Sequence, residues 1–225
     1  MPPVSHFWGL VLGTIIALLP VINPLASTPV FLAITEGDTP DQRRRQALRG
    51  CVYMVVILVA FLIGGTFIMN FFGLSIPGLR IAGGLLVTGI GLQMLAPPKA
   101  ELEDRQRQAE ARAKSDVSFT PLAMPMLSGP GSIAVTIGFT SLSTGWLDYV
   151  AIIIGIVSVA LIAYLTLNLS SRIVRLIGAN GMSALSKIMG FLILCIGVQF
   201  VVNGILGVAT SAEFLDLVRE GLRRP

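Results

Sequence analysis

The chain has 225 residues, of which 54% are hydrophobic and only 12% charged, and its formal net charge is +4. A soluble domain carries about a quarter charged residues, so this chain has too few to cover a water-facing globule. The composition argues against a soluble enzyme, a nucleic-acid-binding module and a disordered chain. It favours a protein embedded in the lipid bilayer, with no nucleic-acid partner.

Six long stretches without charged residues organise the chain. A membrane helix needs about 20 mainly apolar residues, and each stretch is long enough. The sequence therefore predicts an all-α polytopic membrane protein. Its six transmembrane helices are expected near 7–35, 49–72, 77–96, 119–144, 148–169 and 185–209.

The basic residues predict an orientation. Twelve of the 16 Lys and Arg residues fall in the segments that follow the first, third and fifth predicted spans. Such an excess marks the cytoplasmic side, so both termini are expected on the outer side, periplasmic if the source is Gram-negative and extracellular otherwise. Arg80 and Lys187 begin the third and sixth spans and are expected to extend to the membrane surfaces. His6 is expected to be solvated at the outer end of the first span.

The second half of the chain repeats the first at an offset of 106 residues. Residues 79–95 align without gaps on 185–201 with six identities in 17 positions, and Pro24 falls on Pro130 at the same offset. Each half holds three spans, so the second half enters the membrane from the opposite side. This predicts a 3+3 inverted-topology repeat, a plan of many secondary transporters, although a duplication kept for fold stability alone is the alternative. We therefore expect a first three-helix repeat at 1–98, a charged cytoplasmic linker at 99–116, an inverted three-helix repeat at 117–209 and a polar C-terminal tail at 210–225.

The first and fourth predicted spans each contain a cluster of prolines. The first reads LLPVINPLASTPVFL and the fourth TPLAMPMLSGPGSIAVTI. Proline removes a backbone donor and clashes with the preceding turn, so we expect both helices to be broken near the bilayer midplane. The half-helix after a break presents N–H groups and a positive dipole end, and the half-helix before it presents carbonyls, so a zwitterion can use both. Prolines that only bend the two helices are the alternative.

Small and polar residues at the two breaks, with two glutamines at matched repeat positions, are the candidate substrate-binding residues. They are Asn23, Pro24, Ala26, Ser27, Thr28, Ser128, Gly129, Pro130, Gly131, Ser132, Gln93 and Gln199. For the glutamines, hydrogen bonding between packed helices is the alternative role. The spacing of Cys, His and acidic residues matches no metal-ligand pattern, so we expect no metal site.

Several of these motifs together resemble the MarC/SnatA family of bacterial and archaeal inner-membrane proteins. They are NPLASTPVFLAITEG followed by RRR, then RIAGGLL, PLAMPMLSGPGSI and IMGFLILCIGVQFVVNGI, and the similarity spans roughly residues 7–209. The resemblance implies a six-span protein and, for some members, transport of small neutral amino acids such as glycine and alanine. Two positions depart from the family's usual pattern: Ala26 stands where glycine is usual, and Asn203 stands where many relatives have aspartate.

Together with the resemblance, these features predict a secondary transporter of small neutral amino acids that works by alternating access, and not an enzyme. No cofactor is expected besides a coupling ion, Na⁺ or H⁺. All acidic residues fall in predicted loops, the tail or span ends, so Na⁺ held by carbonyls and hydroxyls fits better than a buried proton relay. The alternatives are a channel or passive exporter of small metabolites, and a membrane scaffold or regulator without transport. A homo-oligomer is compatible with a core of this size.

Overall fold

The computed structural model describes residues 3–96, 116–140, 143, 145–211 and 214, and every regular element in these ranges is helical. The predicted linker 99–116, apart from Asp116, and most of the predicted tail 210–225 lie outside the described residues. The helices are α1 (Pro3–Ile22), α2 (Pro24–Ile34), α3 (Pro40–Phe71), α4 (Ile76–Leu95), α5 (Ser118–Leu127), α6 (Pro130–Thr140), α7 (Trp146–Asn168) and α8 (Ser170–Ala209).

Local capping signals fix where two of the long helices begin. At the start of α3, the Thr39 hydroxyl accepts from the Gln42 amide at 3.3 Å, and the Gln42 side chain accepts from the Thr39 amide at 2.9 Å. At the start of α4, the Ser75 hydroxyl accepts from the Gly78 amide at 3.1 Å. Each cap satisfies an N–H group that the helix itself leaves unpaired, so the helices begin at these residues.

Five helices of the described chain are long and apolar enough to cross a membrane: α1, α3, α4, α7 and the Asn180–Ala209 part of α8. The consecutive helices α5 and α6 form a sixth candidate, bent by 63° at the break between them. Gly178, with a φ of 72°, separates the first turns of α8 from its long apolar part. The all-helical architecture with five to six spans confirms the coarse prediction from the sequence.

The helices α4 and α8 pack against each other in an antiparallel pair through glycines. A Cβ atom at Gly84 would lie 2.7 Å from the carbonyl oxygen of Gly197, and one at Gly91 would lie 2.8 Å from that of Gly190. The contact moves back along α8 as it advances along α4, so the two helices run in opposite directions. Small residues let two membrane helices approach this closely, and a side chain at these positions has no room.

The helices α1 and α7 run side by side in the same direction. The His6 Nε2 atom lies 3.4 Å from the Asp148 Oδ1 atom at the start of both helices. About two turns further on, a Cβ atom at Gly155 would lie 2.6 Å from the Thr14 Cβ atom. From the sequence we expect His6 to be solvated. Its ring is indeed half-exposed, but it also pairs with the buried carboxylate of Asp148 on the neighbouring helix.

The helices α5 and α6 run parallel to α3. At the start of α3, the Gln46 Oε1 atom accepts from the Val117 amide at 3.3 Å. Near the other end of α3, a Cβ atom at Gly65 would lie 3.0 Å from the Ile137 side chain. With α1 parallel to α7 and α4 antiparallel to α8, these directions fit a chain that crosses a membrane six times.

The end of the molecule opposite His6 is held by arginine hydrogen bonds. Arg43 donates to the Thr35 hydroxyl and carbonyl, both at 3.1 Å, and to the Ser171 hydroxyl at 3.3 Å. Arg44 donates to the Tyr164 hydroxyl at 3.0 Å. These side chains tie the loop after α2 and the start of α3 to α7 and α8, at the end where the basic residues concentrate.

The core lies between α1, α2, α3, α5, α6 and α7, and it includes the fully buried side chains of Phe31, Leu58, Leu122 and Ile156. Many large apolar side chains are instead exposed on the outside, among them Phe67, which is 72% exposed. A soluble protein rarely leaves so much apolar surface in water, but lipid tails accept it without penalty.

Candidate functional site

The first candidate segment is the junction between α1 and α2. Asn23 lies between the two helices with a φ of 45° and is 6% exposed. Its side-chain oxygen accepts from the Ala26 amide at 3.3 Å, and its Nδ2 atom lies 3.8 Å from the Met94 Sδ atom on α4. Asparagine is one of the few residues that tolerate a left-handed backbone, and it also caps the helix that Pro24 begins.

The second candidate segment is the bend between α5 and α6. Thr120 and Met124, each before a proline, have extended backbone angles, and the hydrogen bonds of α5 reach back five residues, as from the Ser128 amide to the Ala123 carbonyl. The new helix begins at Pro130. Among the described residues, the buried Ser128 hydroxyl has no hydrogen-bond partner, which is uncommon for a buried polar group and leaves it able to bond a ligand.

The two segments meet inside the molecule. An added Cβ atom at Gly131 would lie 3.3 Å from the Val21 side chain, at the end of α1, and 3.1 Å from the Val87 side chain of α4. The first turn of α6 therefore packs against the last turn of α1. A helix N-terminus carries a partial positive charge and a C-terminus a partial negative charge, so opposite partial charges are adjacent here.

Most hydroxyl groups at these segments are bonded to nearby backbone carbonyls. Ser27 donates to the Asn23 carbonyl at 3.2 Å, Thr28 to that of Leu25 at 2.7 Å, and Ser132 to that of Gly129 at 2.9 Å. The structure thus places the predicted residues of the two breaks as follows: Asn23, Pro24, Ser27, Thr28, Ser128, Gly131 and Ser132 are buried, Ala26 and Gly129 are half-buried, and Pro130 is exposed.

The predicted glutamines lie away from this buried cluster. Gln93 and Gln199 are both on exposed faces of α4 and α8. Gln199 donates through its Nε2 atom to the Asn203 Oδ1 atom at 2.9 Å, one turn further along the same helix. A hydrogen bond within one helix is neither of the two roles that the sequence suggested, and it connects Gln199 to a different part of the molecule.

That part is a cavity of about 280 Å³ between α1, α4, α6 and α8, which we call the Arg80 cavity. Its polar side chains are those of Arg80 and Asn203, its aromatic side chains are those of Phe139 and Phe200, and glycines of α4 and α6 line much of the remainder. These residues belong to the halves of α4, α6 and α8 nearest the His6 end. Ala134, which lines the cavity, lies one turn after Gly131, so the cavity ends one turn from the meeting point of the two breaks.

Sequence reasoning missed this cavity and treated Arg80 as a residue that extends to the membrane surface. The available signal was its isolation, since Arg80 is a lone charge between two charge-free stretches, 50–79 and 81–98. An ionisable residue within a membrane helix usually serves a function. Among the described residues, no group of three His, Cys, Asp or Glu side chains lies close enough to hold a metal ion.

The helices, their directions and their apolar exterior define a multi-pass helical membrane protein. Comparison with known proteins gives its family: the sequence profile described as MarC family integral membrane protein matches residues 8–209. The chain therefore belongs to the MarC family.

Named relatives are similar along most of their length. The chain is 39% identical over 203 residues to the "UPF0056 inner membrane protein MarC" of Citrobacter koseri, covering 85% of this chain and 92% of that protein. It shows the same identity and coverage with the proteins of that name from the Escherichia coli strains SMS-3-5 and K12. No solved structure matches the chain.

Proposed function

We propose that this chain is a secondary transporter of the bacterial inner membrane that binds a small neutral amino acid and carries it by alternating access, without catalysing a reaction. The observation that carries the proposal is the contact of Gly131 with Val21, which brings the N-terminal end of α6 against the C-terminal end of α1. Backbone N–H groups suit a carboxylate and backbone carbonyls suit an ammonium group. Adjacent helix ends of opposite polarity therefore suit a small zwitterion.

An inverted repeat is the second part of the proposal, and the glycine contacts between α4 and α8 support it. Under the sequence offset of 106 residues, Gly84 corresponds to Gly190 and Gly91 to Gly197. If each partner of the Gly84–Gly197 contact is replaced by its counterpart in the other half, the result is a contact between Gly190 and Gly91. This second contact is also present. A set of contacts that maps onto itself, between helices of opposite direction, is what two halves related by a two-fold axis in the membrane plane produce.

The alternating-access part of the proposal is supported by a difference between the two ends of the molecule. The Arg80 cavity lies on the His6 side of the two breaks. On the other side, Met94 of α4 lies against Asn23. At the offset of 106 residues, Met94 corresponds to Phe200, which lines the cavity. Met94 therefore lies against the break on the closed side of the molecule, whereas its counterpart Phe200 lies beside open space on the other side. Exchange of these two arrangements would open the opposite side.

For the orientation we propose that the arginine-rich end, around Arg43 and Arg49, is cytoplasmic and that both termini are periplasmic. For the coupling ion we propose Na⁺, held by backbone carbonyls and hydroxyls at the breaks. The Ser128 hydroxyl, buried and without a partner, is the first candidate ligand. Proton coupling is the competing possibility, and imposed gradients separate the two.

A passive channel or exporter is the second candidate function, because the Arg80 cavity already reaches within one turn of the breaks. The two functions differ in kinetics. A carrier saturates and exchanges internal for external substrate, so unlabelled alanine inside a vesicle accelerates the entry of labelled alanine. A channel shows no such acceleration.

The experiment that tests the proposal is uptake of labelled alanine and glycine into proteoliposomes, with and without imposed Na⁺ and H⁺ gradients. The test variant is Asn23→Ala, and the matched control is Asn70→Ala, an exposed residue at the end of α3. We expect saturable uptake that the first variant abolishes and the second retains. Absence of uptake by folded protein under every gradient would reject the amino-acid assignment.

A further inference from the structure

The described lining of the Arg80 cavity is rich in hydrogen-bond donors. Among the described residues around it, Arg80 and Asn203 have the only polar side chains. A guanidinium group has five N–H donors and no acceptor. The Asn203 Oδ1 atom accepts from Gln199, and the Asn203 NH₂ group adds two N–H donors. A lining in which the described polar side chains carry this many N–H donors suits a ligand group that accepts hydrogen bonds.

The other described side chains of the lining are apolar. Phe139 and Phe200 contribute aromatic rings, and Ala17 and Val135 contribute small aliphatic side chains. The volume of about 280 Å³ lies just below the range for small-molecule sites, roughly 300–1,000 Å³. The cavity therefore fits a small molecule with an apolar body and one anionic end.

We propose that the Arg80 cavity is a binding site for a small carboxylate, whose anionic group pairs with Arg80 and Asn203 and whose apolar part lies between Phe139 and Phe200. Arginine is the side chain best suited to this role, because its planar fork pairs with both oxygens of a carboxylate. Gln199 acts as a positioning residue that orients the Asn203 amide.

This inference deepens the proposed function, since an amino acid that reaches the breaks from the His6 end would first present its carboxylate here. The binding claim itself requires no transport. The repeat counterparts of Arg80 and Asn203 are Ser186 and Pro97, which have neither a charge nor an amide, so the sequence offers the carboxylate pair on one side only.

Equilibrium binding to the purified protein in lipid nanodiscs tests the site, with propionate, alanine and alaninamide as probes. Propionate lacks the ammonium group and alaninamide lacks the carboxylate. We expect propionate and alanine to bind and alaninamide to bind at least about tenfold more weakly, because alaninamide lacks the charged group that pairs with the guanidinium. Equal binding of propionate and alaninamide would overturn the proposal.

Two variants locate the binding in the cavity. Arg80→Gln removes the charge and should weaken propionate binding by about tenfold or more. Gly138→Leu fills the cavity from α6, and because a Cβ atom at Gly138 meets nothing within 4 Å, this variant is expected to fold. Its matched control is Gly89→Leu, at a glycine that is equally open but does not line the cavity. Unchanged propionate affinity in Gly138→Leu would place the binding elsewhere and overturn the proposal, even if Arg80→Gln fails to fold.

Binding and transport separate the two proposals. If the wild-type protein binds propionate through Arg80 but takes up no amino acid, the carboxylate site stands and the transport proposal fails. If alanine is transported but propionate binds Gly138→Leu as tightly as it binds the wild type, the transport proposal stands and the carboxylate site fails.

Discussion

Replacement of Gly91 by alanine tests the close pairing of α4 and α8. The new Cβ atom would lie 2.6 Å from the Leu194 amide nitrogen, whereas ordinary van der Waals contacts begin at 3.4 Å. The obstacle is backbone, so the two helices would have to separate by most of an ångström. Overpacking of this kind costs about 1–3 kcal/mol, which exceeds the gain of roughly 1 kcal/mol that alanine brings to a helix in place of glycine.

The repeat supplies a matched second variant. Gly197 corresponds to Gly91 at the offset of 106 residues, and its added Cβ atom would lie 2.5 Å from the Thr88 amide nitrogen. Gly91→Ala and Gly197→Ala should therefore lower the unfolding temperature by similar amounts. Gly89→Ala is the control, because nothing lies within 4 Å of its Cβ position and alanine should there be neutral or stabilising.

The assay is thermal unfolding of the purified proteins in one detergent, followed by size-exclusion chromatography after heating. The reasoning predicts that both interface variants unfold below the wild-type temperature and that the control does not. If Gly91→Ala and Gly197→Ala were as stable as Gly89→Ala, the antiparallel glycine contact would be wrong, and the symmetry argument that rests on it would fail.

Three further predictions concern single side chains. Asn23→Gly should lower the free energy of unfolding by a few tenths of a kcal/mol and Asn23→Ala by about 1–2 kcal/mol, because glycine adopts the positive φ freely; equal losses in chemical unfolding would refute this. Ser128→Ala removes a buried hydroxyl without a partner, so the unfolding temperature should stay the same or rise while alanine uptake falls, and the control Ser158→Ala, whose hydroxyl bonds to a carbonyl of its own helix, should retain uptake. Reduced stability with full uptake in Ser128→Ala would contradict a ligand role. Hydrogen bonds from the Ser118 side chain and amide hold the pKa of Asp116 below its usual value, so this stabilisation is present at neutral pH and is lost as the pH falls through the lowered pKa. Asp116→Asn should therefore unfold earlier than the wild type at neutral pH, with a difference that disappears in acid; a difference that grows in acid would refute the assignment.

The sequence predicts the helices well because their determinants are local. The length of a charge-free run decides whether it can cross a membrane, and the run between Arg49 and Arg80 accounts for most of α3. Proline also acts locally, so Pro24 and Pro130 indicate where α2 and α6 begin. Offset glycines in two halves further indicate which helices can pack closely.

Contacts between distant residues could not be predicted in the same way. The pairing of His6 with Asp148 depends on α1 lying beside α7, and no pattern in either segment specifies this neighbour. Arg80 lines a cavity because α6 and α8 leave space beside it, whereas from the sequence alone an arginine near a span end is expected to reach the surface. The exposed position of Gln93 follows from the rotation of α4 about its axis, which packing decides.

Counterflow in proteoliposomes tests the central claim most directly. Vesicles that contain the protein are loaded with unlabelled alanine, and the entry of labelled alanine is measured against empty vesicles and against the Asn23→Ala variant. The account predicts faster, saturable entry into the loaded vesicles that the variant loses. Equal entry into loaded and empty vesicles would contradict alternating access and favour a channel, and no entry at all would contradict amino-acid transport.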